Sequence, residues 1–271
     1  MQADRQPFQA PVDVLQPPPD LGTWYQDFEN HFRGSSQVIR ERLQVYLPYL
    51  DASPVSVQAP LLDLGCGRGD WLALLRDVGY PARGVDTNPA ALAQARQQGL
   101  EVEQADVIDC LNAQPPSSLG AVSALHLVEH LPFEHLLRLL DAALRALVPD
   151  GLLIIETPNP ENLSVGACHF HTDPTHHHPL VPAVLEFTVA HRGFAGSRIL
   201  RLNPDLPEHC LPGTDALTMR LNATLHGPRD YAVVACKAAT HSDSSAYRFP
   251  LASRAERLTD SGHVVLEQLA R

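Results

Sequence analysis

The sequence predicts an α/β domain in which a largely parallel β-sheet is covered by helices on both faces. Three observations predict it. Short apolar runs alternate with helical patterns from Leu61 to Glu156. A glycine-rich turn, LLDLGCGRGDW, joins the first strand of that alternation to its first helix. Acidic residues, Asp86 and Asp106, then stand at the ends of the next two strands. Right-handed crossovers between such strands give a Rossmann-like sandwich.

The elements follow in order. Met1 to Asp20 is rich in Pro and Gln and reads as an irregular leader. From a serine cap at Ser35, residues Ile39, Leu43, Tyr46, Leu47 and Leu50 fall on one helical face, and Pro48 fits its end. Leu61–Leu64 reads as a buried strand, and Trp71, Leu74, Leu75 and Val78 as a helical face. Gly84–Asp86 ends a second strand, Pro89–Gln98 is a helix and Glu101–Gln104 a third strand. A fourth strand is expected over Ala121–Val128, a helix over Glu134–Leu147 and a fifth strand over Leu152–Glu156. Some 25 irregular residues follow, a length that points to function. A helix over Ala183–His191 and strands over Ser197–Leu202 and Tyr231–Cys236 close the sheet. The expected division is a leader and lid segment at 1–34, one catalytic domain at 35–237, and a tail at 238–271 with periodicity only over Val264–Leu269.

Composition removes several classes of function. The 271 residues carry a formal charge of -11, which repels nucleic acid and anionic membrane surfaces. Hydrophobic residues at 44% against charged residues at 19% place the chain among globular proteins with a real core. No apolar run approaches the roughly 18 residues of a membrane span, and the start lacks a basic stretch leading into an apolar one, so the expected location is the cytoplasm. Five scattered cysteines support neither a disulfide framework nor a cysteine zinc site. Histidine, with 14 residues, is the oddity, and several crowd between His169 and His178.

The glycine turn has the spacing D-x-G-x-G-x-G, with Asp63 before Gly65, Gly67 and Gly69. This differs from the G-x-G-x-x-G of dinucleotide binding, and Asp63 would repel a phosphate. An acid beside backbone amides suits a zwitterion such as the amino-acid end of S-adenosylmethionine, its carboxylate on the amides and its ammonium on the acid. Asp86, with Thr87 next to it, lies about 20 residues further on, where such folds hold ribose hydroxyls. Asp106, followed by Val107, stands where a carboxylate accepts a hydrogen bond from an exocyclic amine.

On these residues the chain resembles the class I S-adenosylmethionine-dependent methyltransferases over roughly Leu61 to Lys237. The resemblance implies a seven-stranded sheet of order 3-2-1-4-5-7-6 with strand 7 antiparallel. It also implies Gly65 and Gly67 at the methionine moiety, Asp86 on the ribose and Asp106 at the adenine. More narrowly, WYQDFENHFRGS and ETPNPENLSVGACHFHTDPTHHHPL are similar to methyltransferases of O-antigen and other surface-polysaccharide synthesis, with His171 where a tyrosine is usual. By that resemblance Arg33 approaches the cofactor's carboxylate; a solvated surface arginine is the alternative.

Two histidine segments should meet above the strand ends, HLVEH at His126–His130 and DPTHHH at Asp173–His178. The first resembles the E-x-x-E-H magnesium site of ubiquinone and small-RNA methyltransferases, with His126 replacing the first Glu. Glu129, His130 and His176 are therefore expected to hold Mg²⁺ or another divalent cation, the alternative being a structural Glu-His pair. His176, with Asp173, is the expected base for a hydroxyl, and His177 and His178 are expected in solvent. The function expected is O-methylation of a sugar hydroxyl of a bacterial surface polysaccharide or its precursor, in association with polysaccharide-synthesis enzymes. The alternatives are O-methylation of a small quinone-type metabolite and a non-catalytic partner-binding module.

Overall fold

The computed structural model describes Trp24, Phe28, His31, Phe32 and residues 34–238. Arg33, most of the leader and the tail from residue 239 onward lie outside the described residues, as does the expected pattern over Val264–Leu269. The described elements are α1 (Ser36–Leu43), α2 (Leu47–Asp51), β1 (Leu61–Leu64), α3 (Asp70–Asp77), β2 (Ala82–Asp86), α4 (Pro89–Gln97), β3 (Val102–Gln104) and α5 (Val107–Ala113). They continue through β4 (Leu119–Leu125), α6 (Phe133–Ala146), β5 (Leu147–Pro158), α7 (Leu163–Ala167), α8 (Pro182–His191), β6 (Ala195–Leu202), α9 (Ala216–Leu225) and β7 (Asp230–Cys236).

The strands form one seven-stranded sheet in the order β3-β2-β1-β4-β5-β7-β6. The pairs from β3 to β5 are parallel, and β7 runs antiparallel to both β5 and β6. The topology is that of class I methyltransferases, as the motif resemblance implies. Among the described residues no helix is long and apolar enough to cross a membrane.

Side-chain alternation along the strands builds two cores, one on each face. Leu62, Val122, Leu153, Ile155 and Val233 pack on one face against α5, α6 and α8. Leu61, Ala121, Leu152, Ile154 and Val234 pack on the other against Tyr46, Leu50, Trp71 and Leu75. With both faces apolar, the strands read as continuous hydrophobic runs, and polar groups are left to the strand ends.

Several expectations change in detail. The helix expected from Ser35 is two helices separated by a 3₁₀ turn at Gln44–Tyr46. The restart puts Pro48 in the first turn of α2, where its missing amide breaks no helical hydrogen bond. The Ser35 cap holds, its Oγ accepting from the Val38 amide at 3.4 Å. β4 ends at Leu125, before the expected Val128, because His126 takes φ +54° and turns the chain. β5 begins at Leu147, ahead of Leu152. Helices α5 and α9 escape the pattern reading; Asp106 caps the first and Asp215 the second. The irregular stretch after β5 contains α7, capped by Asn162, and a 3₁₀ turn at His169–Thr172.

At Gly84 in β2 the sheet meets the glycine turn closely enough that a Cβ would lie 2.6 Å from Cys66 Cβ and 2.6 Å from Leu72 Cδ1. Gly84→Ala is expected to destabilise the fold by about 1–3 kcal/mol through overpacking. Urea denaturation checks this, and a stability within about 0.5 kcal/mol of wild type, the spread of neutral substitutions, would refute the steric argument.

Candidate active site

Above the sheet's carboxyl edge lies a cavity of about 540 Å³, where open α/β sheets bind ligands. β1 supplies Asp63 to its wall, the turn after it Gly65 and Gly67, and the turn after β4 His126. β5 supplies Glu156, and the segment beyond it supplies His169, Phe170, Asp173 and His176. Because β7 is antiparallel, its first residue, Asp230, also reaches this edge, level with Pro158 of β5 and Leu202 of β6. Phe28 and Phe32 line the cavity as well, their rings 4.7 Å apart.

The glycine turn works differently from the expectation. The Gly65 and Cys66 amides both donate to the Val85 carbonyl, at 2.8 and 3.0 Å. The Gly67 amide donates to Asp86 Oδ2 at 2.8 Å, and the Gly69 amide to the Cys66 carbonyl at 2.9 Å. These four amides are therefore occupied within the protein, and the turn offers space where donors were expected. Gly67, at φ +52°, has nothing within 4 Å of where a Cβ would point. Asp86 ties the turn to β2 and also accepts from the Asn88 amide at 2.8 Å. Asp106 Oδ1 accepts from the Ile108 and Asp109 amides. Asp86, Thr87, Asp106 and Val107 all stand outside the cavity lining, with Thr87 and Asp106 exposed and Val107 buried in the core.

The expected metal ligands do come together: ligand atoms of Glu129, His130 and His176 all lie within 4.8 Å of one another. His176 Nδ1 is 2.7 Å from the Phe170 carbonyl, which only accepts, so Nδ1 carries the proton and Nε2 the lone pair. Asp173 thus does not orient the ring through Nδ1; its Oδ2 is 3.8 Å from Nε2, and its Oδ1 accepts from the Thr175 amide and hydroxyl. With its proton given to Asp173, the Thr175 hydroxyl accepts from His130 Nδ1 at 2.8 Å. Of the remaining histidines, His177 and His178 are respectively exposed and exposed, as expected, the His177 amide donating to the Glu129 carbonyl.

The sequence reading passed over a second set of groups. His126 Nδ1 lies 3.2 Å from Glu129 Oε1, and its Nε2 lies 3.3 Å from Glu156 Oε1 and 3.9 Å from Asp230 Oδ1. Tyr46 donates to Glu156 Oε2, and Asn203 Nδ2 donates to Asp230 Oδ2 at 2.8 Å. Burial opposes the imidazolium of His126, yet its hydrogen bonds to Glu129 and Glu156 and the charge of Asp230 push its pKa up to about 10. Burial likewise opposes ionisation of Glu129, but the hydrogen bond and charge of His126 and the charge of His130 bring it down to about 2. The signal is in the sequence: Glu156 follows directly on the apolar run of β5, and an antiparallel last strand puts its first residue at the ligand edge.

The methyltransferase-domain family profile matches residues 30–195. A solved S-adenosylmethionine-dependent methyltransferase from Archaeoglobus fulgidus is 32% identical, with a TM-score of 0.73 over 79% of this chain and 100% of that one. The chain belongs to the S-adenosylmethionine-dependent methyltransferase family. Among curated relatives, trans-aconitate 2-methyltransferase of Methylobacterium nodulans is 37% identical over 44% of this chain and 46% of its own length. Ubiquinone biosynthesis O-methyltransferase of Albidiferax ferrireducens is 30% identical over 42% and 46%. The chain thus spans about half the length of the curated relatives it matches.

In this methyltransferase domain Asp63, just before the glycine turn, is a buried carboxylate. Its carboxylate is 3% exposed and accepts from Ser123 Oγ at 2.7 Å. Burial raises its pKa to about 7, the Ser123 hydrogen bond opposing and the Asp86 charge adding to the rise. Since the folded pKa exceeds the ordinary value of about 3.9, the native state holds more protons than the unfolded one between these pH values. Stability from this group is present at low pH and lost as pH rises towards 7. Asp63→Asn should therefore gain stability over wild type by roughly 3 kcal/mol between pH 4 and pH 7. Urea denaturation of the ligand-free proteins across that range is the check, and a pH-independent difference would contradict it.

Proposed function

We propose that this domain transfers a methyl group from S-adenosylmethionine to a sugar hydroxyl of a bacterial surface polysaccharide, O-antigen-like, or of its precursor. The single observation that carries hydroxyl methylation is His176, locked by the Phe170 carbonyl so that its acceptor nitrogen is Nε2, on a residue that lines the cavity. The cradle fits the cofactor: the space at Gly67 admits a chain that a side chain would block, and the buried Asp63 carboxylate suits a cation. Arg33 is proposed for the cofactor's carboxylate, a role the internally bonded turn amides leave open. Asp86 with Thr87 is proposed at the ribose and Asp106 with Val107 at the adenine, using the lone pairs left after their backbone bonds.

When bound, S-adenosylmethionine supplies the methyl on a sulfonium, which leaves as a neutral thioether and needs no acid. His176 Nε2 accepts the hydroxyl proton as the oxygen attacks. Asp173, 3.8 Å from Nε2, stabilises the resulting imidazolium. The surrounding walls hold the acceptor in line, which is most of what such a displacement requires. Glu129, His130 and His176 form a further proposed site for Mg²⁺ or another divalent cation. Both imidazoles give their Nδ1 protons to fixed acceptors, the usual support of a metal-binding histidine. Two roles for His176 are thereby in competition, and chelation separates them.

The polar wall of His126, Glu156, Asn203 and Asp230 favours a sugar acceptor. A quinone-type acceptor has in its favour the likeness to ubiquinone biosynthesis O-methyltransferase and the rings of Phe28, Phe32 and Phe170. A cytoplasmic setting beside polysaccharide-synthesis enzymes belongs to the same proposal.

Calorimetry should show S-adenosylhomocysteine binding, weakened at least tenfold by Gly67→Val. His176→Ala should lower turnover by ~10²-fold or more, the contribution of a general base, with unchanged S-adenosylhomocysteine affinity. Radiolabelled methyl transfer to nucleotide-sugar and lipid-linked saccharide acceptors is the assay, and preferential binding of NADH overturns the reading. Chelation is expected to abolish turnover and added Mg²⁺ or Mn²⁺ to restore it, with cofactor affinity intact. Full activity in protein shown metal-free by elemental analysis leaves His176 as base and removes the metal.

A further inference from the structure

We propose that His126, Glu156 and Asp230 form a second cation site in the cavity wall, one that takes a divalent transition-metal ion. His126 Nε2, Glu156 Oε1 and Asp230 Oδ1 come from three different places on the sheet's edge, and all lie within 4.8 Å of one another. The two carboxylates sit on neighbouring strands, β5 and β7, with one imidazole nitrogen between them. In the ion-free protein the His126 Nε2–H faces both carboxylates and supplies the positive group there, and a metal ion would bind by taking that proton's place. Glu156 is 5% exposed, and all three residues line the cavity, so the bound ion would face the acceptor space.

The outer hydrogen bonds sort the atoms of the three residues. Each residue has its other polar atom held by a group outside the set: His126 Nδ1 by Glu129, Glu156 Oε2 by Tyr46, and Asp230 Oδ2 by Asn203. The atoms left to converge are Nε2, Oε1 and Oδ1. That arrangement, with a histidine giving its distal N–H to a carboxylate, is how proteins aim metal ligands. One imidazole and two carboxylates make a borderline donor set suited to Mn²⁺, Fe²⁺ or Zn²⁺. Three protein ligands leave positions open for acceptor oxygens.

The site shares no ligand with Glu129, His130 and His176 and does not depend on the acceptor reading. The test is Mn²⁺ binding to the full chain, followed by the electron paramagnetic resonance signal of free Mn²⁺, on wild type and variants. Asp230→Asn and Glu156→Gln should each lose one bound equivalent that His176→Ala retains. Tyr46→Phe, which keeps the buried ring and removes only the outer hydrogen bond, should weaken that equivalent at least tenfold. It keeps the test decisive should a ligand variant fail to fold. Loss in His176→Ala alone, with Tyr46→Phe at wild-type affinity, overturns this inference and supports the other trio. Wild-type protein that binds no Mn²⁺ overturns both metal sites and leaves methyl transfer with His176 as base to be judged by its own assay.

Discussion

The arrangement above the sheet depends on one buried carboxylate, Glu129. It is 1% exposed and ionised, and burying a charge costs several kcal/mol unless partners replace its lost water. Three elements supply them. Thr157 of β5 donates to Oε2 at 2.9 Å, His126 after β4 reaches Oε1, and His176 from the segment after β5 stands 4.0 Å from Oε1. The main chain joins in, since the His177 amide donates to the Glu129 carbonyl at 2.8 Å. One charge thereby fixes the relation of the two histidine segments. It also explains why His126 accepts φ +54°, a backbone state that costs a non-glycine residue about a kcal/mol, which an ion pair at this depth offsets.

Strand direction sets which residues reach that charge. A parallel sheet presents only carboxyl ends at its ligand edge, so β1 and β4 deliver their last residues and the turns beyond them. The antiparallel β7 delivers its first residue, Asp230, directly beside the end of β5. Reversing one strand thus adds a carboxylate that a wholly parallel sheet could not place there without a loop. Asn203, just past β6, then reaches Asp230 because β6 is antiparallel to β7 and ends at the same edge.

Much of this was legible in the sequence where chemistry and periodicity agree. The LLDLGCGRGDW turn marks β1 and α3 because a buried strand, a run of positive-φ glycines and an apolar helix face coincide within eleven residues. Glu129, His130 and His176 are expected together from the resemblance of HLVEH to a known E-x-x-E-H segment and from the place of the His-rich loop, and the fold brings them together. Helix α5 is not legible because VIDCLNA is too short to show a period, and its start signal, Asp106, reads equally as a ligand-binding acid. Helix α9 is not legible for another reason: none of its residues is buried, so no apolar face stands out. The partnership of His126 with Glu156 and Asp230 rests on contacts 30 to 104 residues apart in the chain, which single-sequence periodicity does not carry.

The glycine turn illustrates how the same residues serve a different physical purpose from the one their spacing suggests. Its amides bond inward, to Val85, Asp86 and Cys66, so the turn is rigid before any ligand arrives. A rigid cradle need not be ordered on binding, and loop ordering is among the larger costs of association. The arrangement also separates duties. Gly67 provides room, Asp86 holds the turn in place, and the buried Asp63 supplies charge. Asp63 is the costly member: its pKa near 7 means the ligand-free protein keeps it partly protonated at neutral pH. A cation placed beside it would draw the proton off and stabilise the charged form that burial disfavours. On the proposed reading this destabilised carboxylate is a binding group whose partner, the cofactor's cationic end, comes from outside the chain.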